Sequence, residues 1–142
     1  MFKELTKYKT NTEFTFNIED DLSLVCNAPN DQSGIYLVYA TQGEEKELLF
    51  VGSTGTVHND GEIKHRTGGM HDRIVNGSQF GKLPRYKSWP IQMKKENIVS
   101  LEVHTYVTYS GKTKHIPTYV EGLILQKFLE TNNRLPRWNI AF

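Results

Sequence analysis

The chain reads as an α+β domain, with a small, mainly antiparallel, three-stranded central sheet flanked by helices. A short N-terminal extension (residues 1–32) is expected to pack on a main domain spanning residues 33–142. Three observations predict this. Two apolar runs, GIYLVYA at 34–40 and LLFVG at 48–52, are joined by the polar connection TQGEEKE and read as a hairpin with a loose loop. The segment SLEVHTYVTY at 100–109 places Leu101, Val103, Thr105 and Val107 on alternate positions, the period of a half-buried strand. From Thr118, TYVEGLILQKFLETNN sets Val120, Leu123, Ile124 and Phe128 at helical spacing, with Lys127 the exception on that stripe.

The remaining elements follow in chain order. EFTFNI at 13–18 alternates like a short strand, and EDDLSLVCNA at 19–28 predicts a helix of about two turns with acids at its start, stopped by Pro29. After the hairpin, residues 53–68 are rich in Gly, Thr and His and predict a loop. GMHDRIVNG at 69–77 predicts a helix closed by Gly77. SWPIQMKKEN at 88–97 predicts another, with Ser88 as N-cap and Pro90 in the first turn. The final RLPRWNIAF is expected to fold back on the domain, with Trp138 packing and so placing Asn139.

Composition narrows the classes. A chain of 142 residues, 37% hydrophobic and 23% charged, suits one folded domain. No run of 18 apolar residues is present, so a membrane-spanning helix is not expected. The N-terminus lacks an apolar signal region, and the single Cys26 can form no internal disulfide, so a reducing cytoplasm is the expected setting. One cysteine also excludes a cysteine-based zinc site, and the five histidines show no HExxH or similar spacing. The net charge of +1 conceals an asymmetry. Residues 61–95 hold eight basic and two acidic residues, a net +6, which leaves −5 for the rest. Phe80, Tyr86 and Trp89 are interleaved with these cations, a pattern suited to tracking phosphates as well as to a solvated basic face.

Five short signals then occur in order: GIY at 34–36, FVG at 50–52, an arginine in the helix at 69–77, EGLIL at 121–125 and PRWN at 136–139. In that order, and on those elements, they resemble the GIY-YIG nuclease superfamily. The long stretch between Gly52 and Arg73 is closest in layout to its stand-alone or restriction-type members. The resemblance implies a metal-dependent DNA endonuclease acting on double-stranded DNA, with one Mg2+ or Mn2+ per site. It implies Tyr36 as the strand tyrosine beside the scissile phosphate and Arg73 as the phosphate-contacting arginine. It likewise implies Glu121 as the metal-holding carboxylate and Asn139 as the late asparagine that positions the site. Arg66 competes for the arginine role, and Arg73 is preferred because Met70 and Ile74 place it in a helix pattern. The four residue types suit phosphodiester hydrolysis, which needs an activated water, a Lewis acid and a cation for the phosphoryl oxygens.

Each residue also has a plainer reading: Tyr36 as strand packing, Arg73 in a surface ion pair, Asn139 bonded to backbone. Phe50 stands where the superfamily usually has tyrosine, which removes a hydroxyl that could assist the base. Gly52 suits a close backbone approach or a tight exit from the strand. Lys64, His65 and Arg66 in the loop, and His71 in the following helix, are candidate accessory groups. Lys82, Arg85 and Lys87 are candidate DNA contacts along one wall of a cleft, whereas Trp89 is expected in the core. Two further classes fit the same residues: a catalytically impaired nucleic-acid-binding module, supported by Phe50, and a protein-interaction domain using residues 61–95. An oligomer is compatible with the sequence but not indicated by it.

Overall fold

The computed structural model describes residues 2–142. A 3-10 turn (Lys3–Leu5) leads into β1 (Asn11–Asn17), α1 (Leu22–Val25), β2 (Gly34–Gln42) and β3 (Glu45–Thr54). A small hairpin of β4 (Thr56–Val57) and β5 (Ile63–Lys64) precedes α2 (Gly69–Asn76) and α3 (Arg85–Glu96). Then come β6 (Ser100–Val107) and α4 (Pro117–Asn132). No described helix is long and apolar enough to cross a membrane.

The α+β class and the antiparallel sheet hold, but the sheet has four strands, in the order β1-β6-β2-β3. The extra strand comes from the N-terminal extension. It pairs along the whole of β6, from Asn11 opposite Tyr106 to Asn17 opposite Ser100, and is therefore part of the sheet rather than an addition to it. The loose loop of the expected hairpin is also tighter: β2 and β3 pair through to Gln42 opposite Glu45, and Gly43 turns the chain at φ +61°. Two helices differ from expectation. The segment 19–28 forms only four helical residues, N-capped by the Asp21 carboxylate, which accepts from the Ser23 backbone N–H. The helix expected from Ser88 begins one turn earlier, after Pro84, so Pro90 lies in its interior. Proline's preference for a first turn was the misleading signal there.

Alternation along the strands divides the interior into two apolar layers. On one face Phe16, Tyr36, Val38, Leu101 and Val103 pack against Met70, Ile74, Trp89 and Met93 from α2 and α3. On the other Ile35, Leu37, Leu48 and Val51 pack against Val120, Ile124, Leu125 and Phe128 of α4. Trp89 is fully buried, as expected.

Edge strands with free backbone groups invite pairing, and β3 is such an edge. The C-terminal tail covers its middle. Trp138 N–H donates to the Leu49 carbonyl at 2.9 Å. The Asn139 side chain then mimics a strand partner: its Oδ1 accepts from Val51 N–H at 2.9 Å and its Nδ2 donates to the Val51 carbonyl at 3.0 Å. Both polar atoms of this buried amide are bonded to the Val51 backbone, so Asn139 ties the C-terminal tail to β3.

Asn139→Ala should therefore destabilise the fold by about 1–3 kcal/mol, the range for orphaning buried polar groups. Urea denaturation measures this, and an unaltered midpoint would show that the tail does not secure β3.

Candidate active-site cleft

Beyond the tail's clamp the end of β3 is open, and a cleft of about 430 Å³ lies there. Ser53, Thr54, Gly55 and Thr56 form one side of it. Lys64, His65 and Arg66 line it from the second hairpin, Arg73 from α2 and Thr118 from α4. Both helical layers therefore reach one cleft at the sheet edge.

Glu121 borders this cleft through Ser53, whose hydroxyl donates to its Oε1 at 2.7 Å. The local sequence explains the contact. In a strand, alternate residues face opposite sides, so Ser53, one position after Gly52, points to the α4 face. Glu121 follows Val120, which is buried in that layer, and is itself only half-buried. Burial pushes the Glu121 carboxyl above its usual range, against the opposing effects of the Ser53 hydrogen bond and the nearby Arg73 charge.

Arg73 sits on α2 beside Ile74, with its Nε buried and without a hydrogen-bond partner. Arg66 Nε is 2.7 Å from the Asp72 carboxylate, which fixes Arg66 to the start of the same helix. Lys64 is exposed at the cleft. His65 Nδ1 lies 2.6 Å from the Ser33 hydroxyl. The cleft thus combines one imidazole and three cations, with the Glu121 carboxyl behind Ser53 at its border.

Such a donor set suits a hard cation. Magnesium keeps most of its waters and needs only one or two carboxylates, so Glu121 with neighbouring hydroxyl oxygens is sufficient. A different trio of metal-type ligands, Glu13, Glu102 and His104, lies on β1 and β6. There Lys46 Nζ and His104 Nε2 already contact Glu102 Oε1 at 2.8 Å and 2.7 Å, so the carboxylate is compensated within the protein.

Tyr36 is placed elsewhere. It is fully buried on the α2–α3 face, while Glu121 is on the α4 face, so the sheet lies between them. Its hydroxyl is buried with no hydrogen-bond partner and does not line the cleft. The enclosed ring and hydroxyl match the packing reading. Gly52 has a matching reason: a Cβ there would lie 2.5 Å from the Tyr36 hydroxyl, so glycine makes room for the ring rather than for a substrate. Phe50 is beside Tyr36, with ring centroids 6.0 Å apart.

Arg85 also departs from expectation. Instead of lining a DNA-binding wall it is 2% exposed, with its guanidinium 5.4 Å from both the Tyr36 and the Phe50 ring centroids. It donates to the Arg73 carbonyl at 2.7 Å and to Gln79 Oε1 at 2.8 Å, so it joins α3 to α2. Burial draws its pKa down from the usual guanidinium value. Lys82 and Lys87 are exposed but outside the cleft lining. His71 turns away from it, its Nε2 lying 3.0 Å from the Ser23 carbonyl.

Ser53 and Ser33 went unnoticed in the sequence. The period-two pattern after Gly52 gives the first away, whereas no local signal marks the second. A larger hollow of about 640 Å³ lies between the N-terminal turn and the end of α4, where Lys127 is paired with Glu4. Its lining holds none of the residues gathered around Ser53.

No family model, curated protein or solved structure matches the chain.

Because the folded chain retains the Glu121 proton to a higher pH than the unfolded chain, stability falls as pH rises between the unfolded and folded values. In metal-free buffer, Glu121→Gln should unfold at a higher temperature than the parent near neutral pH. The two should converge below ~4, where the carboxyl is protonated in both states. Thermal unfolding across pH checks this, and equal midpoints at neutral pH would contradict it.

Proposed function

We propose that the protein is a metal-dependent endonuclease that hydrolyses phosphodiester bonds in DNA at the open end of β3. The observation that carries this reading is a cleft lined by Arg73, Lys64, His65 and Arg66 whose Ser53 is bonded to Glu121, a carboxyl on which the Arg73 charge acts. The resemblance of the ordered motifs to the GIY-YIG nuclease superfamily supports the same reading independently. Glu121 is the residue that would hold Mg2+ or Mn2+, which when bound supplies a Lewis acid for the charge developing on the phosphoryl group. Arg73 presents a planar fork of donors to the non-bridging phosphoryl oxygens, a geometry suited to phosphate. Lys64 and Arg66 attract the backbone on either side. Ser53 keeps the carboxylate turned toward the cleft.

Tyr36 and Arg85 act from beneath. Arg85 holds the Arg73 backbone, and Tyr36 with Phe50 forms the aromatic bed under that guanidinium. Phe50 and the buried Tyr36 hydroxyl favour one second reading, a DNA-binding module that retains the basic cleft without hydrolysis.

Nicking of supercoiled plasmid tests the two. The nuclease reading predicts nicking that needs Mg2+ or Mn2+ and stops with EDTA. Glu121→Ala should abolish it, and Arg73→Ala should lower the rate by about 10²–10³, the usual cost of removing one electrostatic stabiliser of a transition state. Salt-dependent DNA binding with no metal-dependent nicking would establish the binding module instead.

A further inference from the structure

We propose that His65 is the proton acceptor of the hydrolysis, oriented by the buried hydroxyl of Ser33; this rests on the nuclease reading above. His65 follows β5 and lines the cleft together with Ser53 and Arg73. Its Nδ1 is engaged by Ser33 Oγ at 2.6 Å, while Nε2 has no hydrogen-bond partner among the described residues and is not buried. The ring therefore offers one free nitrogen where the substrate would lie.

The support behind the ring is built in. Ser33 is fully buried, and its carbonyl accepts from Thr108 N–H at 3.2 Å, which ties it to the end of the sheet. At Gly55, φ is +108°, and a Cβ there would lie 2.4 Å from Ser33 Oγ. A side chain at position 55 would thus disturb the hydroxyl that holds His65. The hairpin carrying His65 is fixed in turn by His58 N–H donating to the Glu62 carbonyl at 2.8 Å and by the Tyr109 hydroxyl donating to the Gly61 carbonyl.

A hydroxyl is a suitable partner for an imidazole that gains and loses a proton. It can accept from Nδ1–H or donate to bare Nδ1, so that nitrogen stays bonded whichever tautomer is present. The other polar groups of the cleft are less suited. Lys64, Arg66 and Arg73 carry donors and no acceptor when charged. Ser53 is engaged by Glu121, and the Tyr36 hydroxyl is buried across the sheet.

The step balances without another reactant. As the oxygen of a water molecule bonds to phosphorus, one of its protons passes to His65 Nε2. The phosphorus–oxygen ester bond breaks, and the leaving oxygen takes a proton from solvent. The imidazolium then releases its proton to solvent, so the sum is one water consumed per diester cleaved.

The experiment is plasmid nicking with Mg2+ by the full chain, by Glu121→Ala, by His65→Gly and by His65→Gln, with thermal unfolding to verify that each variant folds. A positioned general base contributes about 10²–10⁴ in rate, so both His65 variants should fall by that factor. Added imidazole should restore part of the His65→Gly rate and none of the His65→Gln rate, because only the first leaves space for it. Glu121-dependent nicking that persists within about threefold of the parent in either folded His65 variant, against the general-base factor, overturns the His65 assignment alone. Loss of rate in folded His65→Gly without rescue also overturns it. Absence of Glu121-dependent nicking in the parent overturns the nuclease reading and this inference with it.

Discussion

The cleft depends on how one edge of the sheet is finished. The Asn139 amide pairs with both backbone groups of Val51, and Trp138 N–H pairs with Leu49. The middle of β3 is thereby closed to other strands, while residues 53–56 beyond it stay accessible to side chains from both layers. Were the tail to extend its pairing by two residues, it would reach Ser53, which lines the cleft and bonds Glu121. A clamp that stops at Val51 both protects the edge and defines the site.

The pleat assigns the residues that follow. Gly52 faces α2 and α3, and its missing side chain admits the Tyr36 ring. Ser53 faces α4 and takes hold of Glu121. Two adjacent positions thus serve opposite layers, one by packing and one by hydrogen bonding. On the packed side Arg85 is buried without a carboxylate among its described partners. Its charge is accommodated by three aromatic rings, a side-chain amide and the Arg73 carbonyl. Buried cations are costly unless hydrogen-bonded or paired. Through its bond to the Arg73 carbonyl, Arg85 also joins α3 to α2.

Much of this was legible in the sequence because it rests on local periodicity. The hairpin of β2 and β3, the alternation of β6 and the apolar stripe of α4 were readable from spacing alone. The first strand was legible at 13–18 as a strand but not as a partner of β6, since pairing between positions this distant in the chain, such as Asn11 with Tyr106, leaves no local trace. Arg73 and Glu121 were singled out through motif order, and in the fold the Arg73 charge acts on the Glu121 carboxyl. Tyr36, Asn139 and Arg85 are all buried, which their sequence did not reveal, for a shared reason. A residue type suited to chemistry looks the same in sequence whether it faces solvent or the core, and burial is decided by the pairing of distant strands. His65 stood out only as one of several polar residues in a loop. Its tie to Ser33, thirty-two positions away, arises from the fold.

In the proposed function a divalent cation and a phosphate would share the open end of β3. Anomalous diffraction from crystals soaked in Mn2+ and a short DNA duplex tests it most directly. The expected result is a metal peak bonded to the Glu121 carboxylate, with a phosphate between it and Arg73. A peak confined to Glu13, Glu102 and His104, with no metal at Glu121, would contradict it.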